Sequence, residues 1–326
     1  MKVAVTGAAG LQGSWLCHFL IERGHDVVGI DSRDITADYV QDACTRVKLD
    51  IAEDDEGLFE ALDGCSTVFH LAARMGSHAQ VAGDPSIALE NAKIDRALLI
   101  MISHLSFFRD GLPDQRPIHF VYASSGCVYP VRARSNDSSK SEELYLEEDA
   151  LAGPALPLPG DCPYGTQKIV TEFAARTQSA FTSTCLRMFN IYGEGAREGN
   201  LVYDLMQKVE KTPVGEPVST YGSLNARRPL LHVYDAAEAY IAAMERSREF
   251  FKHDSVNIGA AETLSIREIL ETMVNLCQPE ARSPSKVKGQ NGAVSNKAPS
   301  IERAEQLLGW KPKITVHAGL QLSRGK

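Results

Sequence analysis

Apolar and β-branched runs alternate with longer amphipathic stretches through the first two-thirds of the chain. Lys2–Thr6, Val27–Asp31, Val47–Asp50, Thr67–Leu71, His119–Ser124 and Thr184–Phe189 have the length and composition of buried strands. Trp15–Arg23, Pro85–Phe108 and Tyr164–Ser179 carry apolar residues at helical spacing instead. Strand, helix and strand in repeated succession predict a parallel sheet, because parallel neighbours need a crossover long enough to hold a helix. Strands apolar on both faces predict helices covering both sides. The expected fold class is therefore α/β, a doubly wound parallel sheet. No internal repeat is visible.

Two stretches break the alternation. Residues 132–163, "RARSNDSSKSEELYLEEDALAGPALPLPGDCP", are rich in Ser, acid and Pro. They fit either a lid over the helix that follows or a long solvated loop. Residues 281–300 form a second stretch of low hydrophobicity, expected as a loop in a smaller C-terminal lobe.

Bulk properties narrow the class of partner. The 326 residues carry a net charge of −8, which argues against general binding to nucleic acid or an anionic membrane. The longest apolar run, Ala97–Phe108, contains Ser103 and His104 and is too short to span a bilayer. The opening residues lack the apolar core of a secretory signal. Seven dispersed cysteines without a CxxC pair read as reduced thiols, so a cytoplasmic protein with no metal site is expected.

Candidate chemistry begins at "VTGAAGLQGSW", where Gly7, Gly10 and Gly13 follow a strand and open a helix. In that setting the glycines permit a tight turn, close approach of a pyrophosphate and close helix packing, while the helix N-terminus offers N–H donors. The spacing is GxxGxxG, and a purely structural glycine turn is the competing reading. Asp31 ends the next strand, where a carboxylate accepts from an adenosine ribose and repels a 2′-phosphate, favouring NAD over NADP. Arg33 nearby weakens that preference. Asp50 ends the third strand, within reach of an adenine or serving as a helix cap.

"PYGTQK" places Tyr164 and Lys168 four apart at a helix start, hence on one face. An ammonium beside a phenol favours the phenolate and would tune the tyrosine as a general acid or base. Ser124 and Ser125 end a strand where doubly wound sheets open their ligand crevice, and they also suit a turn or cap.

Taken together, these residues resemble the extended short-chain dehydrogenase/reductases, in the NAD-dependent sugar-nucleotide epimerase and dehydratase branch. The resemblance runs through TGAAGLQG (6–13), Asp31, Asp50, Ile51, VFHLAA (68–73), Asn91, SSGCVYP (124–130), PYGTQK (163–168), LRMFNIYG (186–193), RPLLHVYDAA (228–237), VNIG (256–259) and LLGWKP (307–312). It implies a Rossmann-type domain over residues 1–188 with a return at about 228–260. A smaller substrate lobe would come from residues 189–227 and 261–326.

The resemblance also implies Tyr164, Lys168 and Ser125 as the catalytic set, with Lys168 on the nicotinamide ribose. Gly7, Gly10, Leu11, Gln12, Gly13, Asp31, Asp50, Ile51, Leu71, Ala72, Ala73 and Asn91 would surround NAD. Asn190 and Arg228 would hold the diphosphate of a nucleotide sugar, Arg228 through its two-pronged guanidinium. A homodimer formed by the 85–108 and 164–180 helices is implied as well.

The residues after Ser125 bear on the reaction. Gly126-Cys127 replace the acidic residues of dehydratases and decarboxylases of this branch. SSGCVYP with ARMG (73–76) is similar to GDP-mannose 3,5-epimerases and GDP-fucose synthases, in which a Cys moves protons beside a ketone. A small buried hydrophobe is the other reading of Cys127. The second acid/base of those groups, Lys or His, is missing from "NIYGEGAREGN", where Arg197 stays charged. The expected activity is epimerisation at one centre of a nucleotide sugar by transient oxidation. A dehydratase or net reductase is the alternative, and a non-enzymatic dinucleotide sensor would not need the Tyr, Lys and Ser.

Overall fold

The computed structural model describes residues 1–40, 43–76, 80, 83–109, 117–129, 144–147, 162–213, 215–246, 254–260, 262–277, 287–290 and 298–324. Seven strands form the central sheet: β1 (Lys2–Thr6), β2 (Asp26–Asp31), β3 (Cys44–Lys48), β4 (Thr67–His70), β5 (His119–Ser125), β6 (Thr182–Met188) and β7 (Asp254–Ile258). Their order is β7-β6-β5-β4-β1-β2-β3, and every pair is parallel. The order reverses between β1 and β4, the point at which crevices open in such sheets.

Both faces of the sheet are buried, as the unbroken apolar strands require. Val3, Val5, Val27, Phe69, Val121, Leu186 and Val256 point to one face. They pack there with Leu16 and Leu20 of α1 (Leu11–Glu22) and Ala236, Ala239 and Tyr240 of α6 (Val233–Glu245). Ala4, Val28, Val68, Phe120, Tyr122 and Cys185 point the other way. They meet Leu58 and Leu62 of α2 (Asp55–Leu62), Leu98, Ile102 and Leu105 of α3 (Pro85–Arg109) and Ala175 of α4 (Pro163–Arg176). A separate apolar cluster joins α5 (Leu201–Lys211) to α7 (Ile266–Cys277) through Leu205, Val209, Ile269 and Met273, with Leu320 of α8 (Val316–Arg324).

Local signals explain the helix starts. Asn200 accepts from Val202 N (3.1 Å) and Tyr203 N (3.4 Å) to open α5. Pro163 occupies the first turn of α4, where a missing N–H costs nothing.

The expected strand Val47–Asp50 is corrected to Cys44–Lys48. This edge strand exposes Thr45, Arg46 and Lys48, so its apolar content does not mark its span. Of the 132–163 stretch only 144–147, Cys162 and Pro163 are described. There Tyr145 bridges to Pro299 and accepts from Asn257 Nδ2 at 3.0 Å; the lid expectation otherwise lies outside the described residues. Within 281–300, Val287–Gln290 is a strand parallel to Val218–Ser223, not a loop. Among the described residues no helix is long and apolar enough to cross a membrane.

Candidate active site

The glycine turn after β1 is closed from both sides. Gly7 has φ +73°, and a β-carbon there would lie 2.7 Å from the Ala72 nitrogen. A β-carbon on Gly13 would lie 2.2 Å from the Gly7 oxygen, so α1 rests directly on the turn. Gly10 begins that helix with no side-chain cap and no acidic residue in the first turn. The helix N-terminus is therefore positive and uncompensated from within, which suits a pyrophosphate. Leu11, Gln12, Leu71, Ala72 and Ala73 are half-buried around it, and Gln12 Oε1 accepts from Tyr240 OH at 3.0 Å.

Asp31 is fixed against this turn. Its Oδ2 accepts from Ala9 N (3.0 Å), and its Oδ1 accepts from Arg33 N (3.0 Å) and Arg33 Nε (3.3 Å). Two other sequence candidates sit differently. Asp50 is exposed and its Oδ1 accepts from Ala52 N (3.0 Å), a turn cap, while the Ile51 side chain is buried in the core. Asn91 exchanges hydrogen bonds with the Arg74 backbone, accepting from its N at 2.7 Å and donating to its O at 3.0 Å. It thereby braces the Leu71–Arg74 turn.

Ser125, Tyr164 and Lys168 converge where β5 ends. Tyr164 is 4% exposed and Lys168 2%, so both lie in a site shielded from water. Lys168 Nζ donates to Ala123 O (2.9 Å) and lies 5.6 Å from the centre of the Tyr164 ring. Ser125 is close enough to act on the Tyr164 phenol, and its Oγ accepts from Cys127 N at 3.1 Å. Cys127 packs against Ile87, Cys162 and Tyr164.

The expected lowering of the Tyr164 phenol is not what this packing gives. Burial holds it well above its ordinary value, the neighbouring Cys127 and Asp95 add to that, and the Ser125 hydroxyl opposes them. Burial also pushes the Lys168 ammonium below its usual value, with Asp95 and Glu172 pushing back.

Asn190 lies just beyond the end of β6, and Arg228 lies in the two-residue strand Arg227–Arg228. Asn190 takes φ +42°, the one non-glycine described residue in the left-handed region. Backbone held so far from its preferred wells is common at ligand sites. Arg228 is half-buried, pairs in β register with Leu264 and donates to Arg227 O at 2.8 Å. The residues therefore form two groups, one at the glycine turn and Tyr164, the other near Arg228.

A buried polar layer beneath Tyr164 and Lys168 escaped the motif reading. Asp95 of α3 accepts from Tyr122 OH (2.6 Å), Gln167 Nε2 (2.5 Å) and Thr171 Oγ1 (2.6 Å), and its other oxygen meets His70 Nε2 at 2.9 Å. Glu172 accepts from Arg187 Nε (3.0 Å) and Nη2 (2.7 Å), Ser124 Oγ (2.5 Å) and Ser255 Oγ (2.9 Å). Ser124 is thus tied to the scaffold and Ser125 to the crevice. Helical spacing carries a signal for both acids: Asn91 and Asp95 continue the buried stripe Leu98, Ile102 and Leu105, and Glu172 continues Tyr164 and Lys168.

Known proteins share this arrangement of chain. The dTDP-4-dehydro-6-deoxyglucose reductase of Escherichia coli is 26% identical over 334 residues, 98% of this chain and 95% of that protein. GDP-mannose 3,5-epimerase of Arabidopsis thaliana is 24% identical, spanning 99% of this chain and 81% of that one. The crystal structure of UDP-glucose 4-epimerase with UDP-glucose from Thermotoga maritima has the same fold. Its TM-score is 0.78 at 24% identity, with 99% of this chain and 97% of that chain covered. Residues 3–259 match the family model "NAD dependent epimerase/dehydratase family". With a match over most of its length, a seven-stranded parallel sheet and a glycine turn at its switch point, the chain belongs to the NAD-dependent epimerase/dehydratase family.

Proposed function

We propose that this chain is an NAD-dependent epimerase of a nucleotide-activated sugar. The observation that carries the reading is the meeting of Ser125, Tyr164 and Lys168 beside the glycine turn. The uncapped α1 N-terminus suits the pyrophosphate, with Gly7, Gly10 and Gly13 giving it access and Asp31 facing the ribose. NAD, when bound, supplies the hydride acceptor and a positive ring. Asp50 and Ile51 contribute through position and backbone, since Asp50 caps a turn and the Ile51 side chain is buried.

Tyr164 takes the proton of the sugar hydroxyl, and Ser125 donates to the same oxygen. A phenol held protonated by burial requires positive charge to release its proton, which Lys168 holds nearby. Cys127, touching the same cluster, stands ready to move a proton on the carbon beside the carbonyl. The absence of Lys or His in residues 190–200 supports inversion at a single centre. Asn190 and Arg228 hold the diphosphate, the latter as a half-buried cation. The apolar cluster of α5 and α7 supports a substrate lobe made of 189–227 and 261–326. Exposed Leu89, Val170 and Phe173 on α3 and α4 support a homodimer through these helices, and seven dispersed cysteines support a cytoplasmic site.

Net reduction is the second reading, favoured by the reductase among the relatives. Incubation with UDP-, GDP-, CDP- and dTDP-sugars in heavy water, with catalytic NAD, separates the two. An epimerase returns an isomer without net NAD(H) change, and deuterium beside the inverted carbon marks Cys127 chemistry. A reductase consumes NAD(P)H in proportion to product.

A further inference from the structure

The layer under Lys168 contains four buried charges that sum to zero. Glu172 and Arg187 neutralise each other in direct contact. That leaves Asp95, 2% exposed, as the counter-charge of Lys168. The link between them passes through Tyr122. Lys168 Nζ lies 4.4 Å from the centre of the Tyr122 ring, and the hydroxyl of that ring donates to Asp95 Oδ2 at 2.6 Å. A phenol that donates to a carboxylate gains electron density, and its face then attracts a cation more strongly.

The geometry points to Asp95 as a positioning residue for the Tyr164–Lys168 pair: through the Tyr122 hydroxyl it enriches the ring face beneath Lys168 and keeps that ammonium charged in a site closed to water. The inference rests on the proposed partnership of Lys168 with Tyr164, and the charge on Lys168 can be measured without substrate.

Asp95 is itself held as an anion by a directed chain. The Ala72 N–H donates to Thr6 Oγ1 at 3.2 Å, and with His70 donating from Nε2 as a neutral imidazole the Thr6 hydroxyl donates to its Nδ1 at 2.7 Å. His70 then donates from Nε2 to Asp95. With Tyr122, Gln167 and Thr171 on the other oxygen, the carboxylate has four donors. Burial alone would raise its pKa; the Lys168 charge and the bonds from His70 and Thr171 hold it down at about 2. The chain starts at the turn that closes on Gly7, so the same backbone that shapes the glycine cradle also orients the charge under Lys168.

The groups facing Lys168 come from four elements. They are Asp95 on α3, Tyr122 on β5, Tyr164 and Glu172 on α4, and Cys185 on β6, with His70 of β4 behind Asp95. Of the two described acids that face Lys168, Glu172 is occupied by Arg187, whereas Asp95 meets His70 and no Lys or Arg side chain directly. Removing the Asp95 charge leaves the buried ammonium with Glu172, already paired with Arg187, as the acid that faces it.

The test is an NMR pH titration of the chain labelled with 13C and 15N in lysine, with Lys168 assigned by its loss in Lys168→Met. In Asp95→Asn the Lys168 proton affinity is expected to fall at least about tenfold, one unit of midpoint. In Tyr122→Phe, which keeps ring and carboxylate, it falls about threefold. An unchanged midpoint in folded Asp95→Asn overturns the inference, as does an unchanged midpoint in Tyr122→Phe should Asp95→Asn not fold. A merely structural Asp95 would change the melting temperature and leave the midpoint in place. Failure of every sugar to react leaves this titration intact, so the two readings fail separately.

Discussion

Gly7 and Ala72 stand back to back where β1 and β4 end: a β-carbon on Gly7 would lie 2.7 Å from the Ala72 nitrogen and 2.8 Å from the Leu71 oxygen. This contact sets the floor of the crevice at the switch point. Gly24, at φ +74°, has the same backbone conformation but nothing within 4 Å of its would-be β-carbon. Gly24→Ala is therefore expected to cost about 1 kcal/mol from conformation alone. Gly7→Ala adds a backbone clash and is expected to cost about 3 kcal/mol or more. Urea midpoints give both values, and NAD titration should weaken only in Gly7→Ala.

Glu172 and Arg187 are each 4% exposed at the side chain, so breaking the pair strands a buried charge. Glu172→Gln is expected to lose about 3–5 kcal/mol of stability. The Glu172 carboxyl sits below its ordinary value, because the Arg187 bonds and charge outweigh burial. Its contribution is present above the unfolded pKa of ~4.3 and disappears as pH falls through the folded value. Asp95, held at about 2, contributes in the same direction. The wild-type melting temperature should drop steeply below about pH 4, and Glu172→Gln should show a flatter acid limb.

His232 caps α6 by accepting from Tyr234 N at 3.3 Å, and its buried Nε2 has no hydrogen-bond partner among the described residues. Burial pushes its pKa down to about 4. The unfolded imidazole takes a proton below ~6.5, whereas the folded one does not, so stability falls as pH drops from there to about 4. The loss is on the order of 3 kcal/mol across that window. His232→Asn, which keeps a cap, should flatten the pH dependence of urea unfolding between these values.

Val170 and Phe173 on α4 are 60% and 69% exposed, and Leu89 on α3 is 67% exposed. Apolar surface of this kind on adjacent helices is what a twofold interface buries. Phe173→Glu combined with Val170→Glu should convert a dimer into a monomer by sedimentation, with little change in melting temperature once monomeric. A wild-type chain that sediments as a monomer would remove this part of the account.

Most of the sheet was legible because its strands are buried on both faces, so apolar runs such as Val27–Asp31 and His119–Ser124 announce themselves. β3 was shifted because an edge strand with Arg46 and Lys48 outward has no such run. β7 was read only through its VNIG motif, its five residues including Asp254, Ser255 and Asn257. The helices of the smaller cluster went unassigned, although α5 and α7 each carry an apolar stripe that becomes a core only when they pack together. At the site, the glycines and the Tyr164–Lys168 pair stand out by spacing, whereas Ser125 is singled out from Ser124 by the family resemblance. Asp95, His70 and Glu172 could not be given partners, because the bonds that define them join residues 15 to 83 positions apart. The direction of the Tyr164 shift was missed for the same reason. A sequence shows that Lys168 is one turn away, but not that both groups are buried.

The catalytic use of Tyr164 is the centre of the account, and Tyr164→Phe tests it most directly. The measurement is turnover of whichever nucleotide sugar the wild-type chain isomerises, alongside NAD affinity. The expected result is a fall in kcat of at least about a hundredfold with NAD binding and melting temperature retained. Wild-type turnover in Tyr164→Phe would contradict the account.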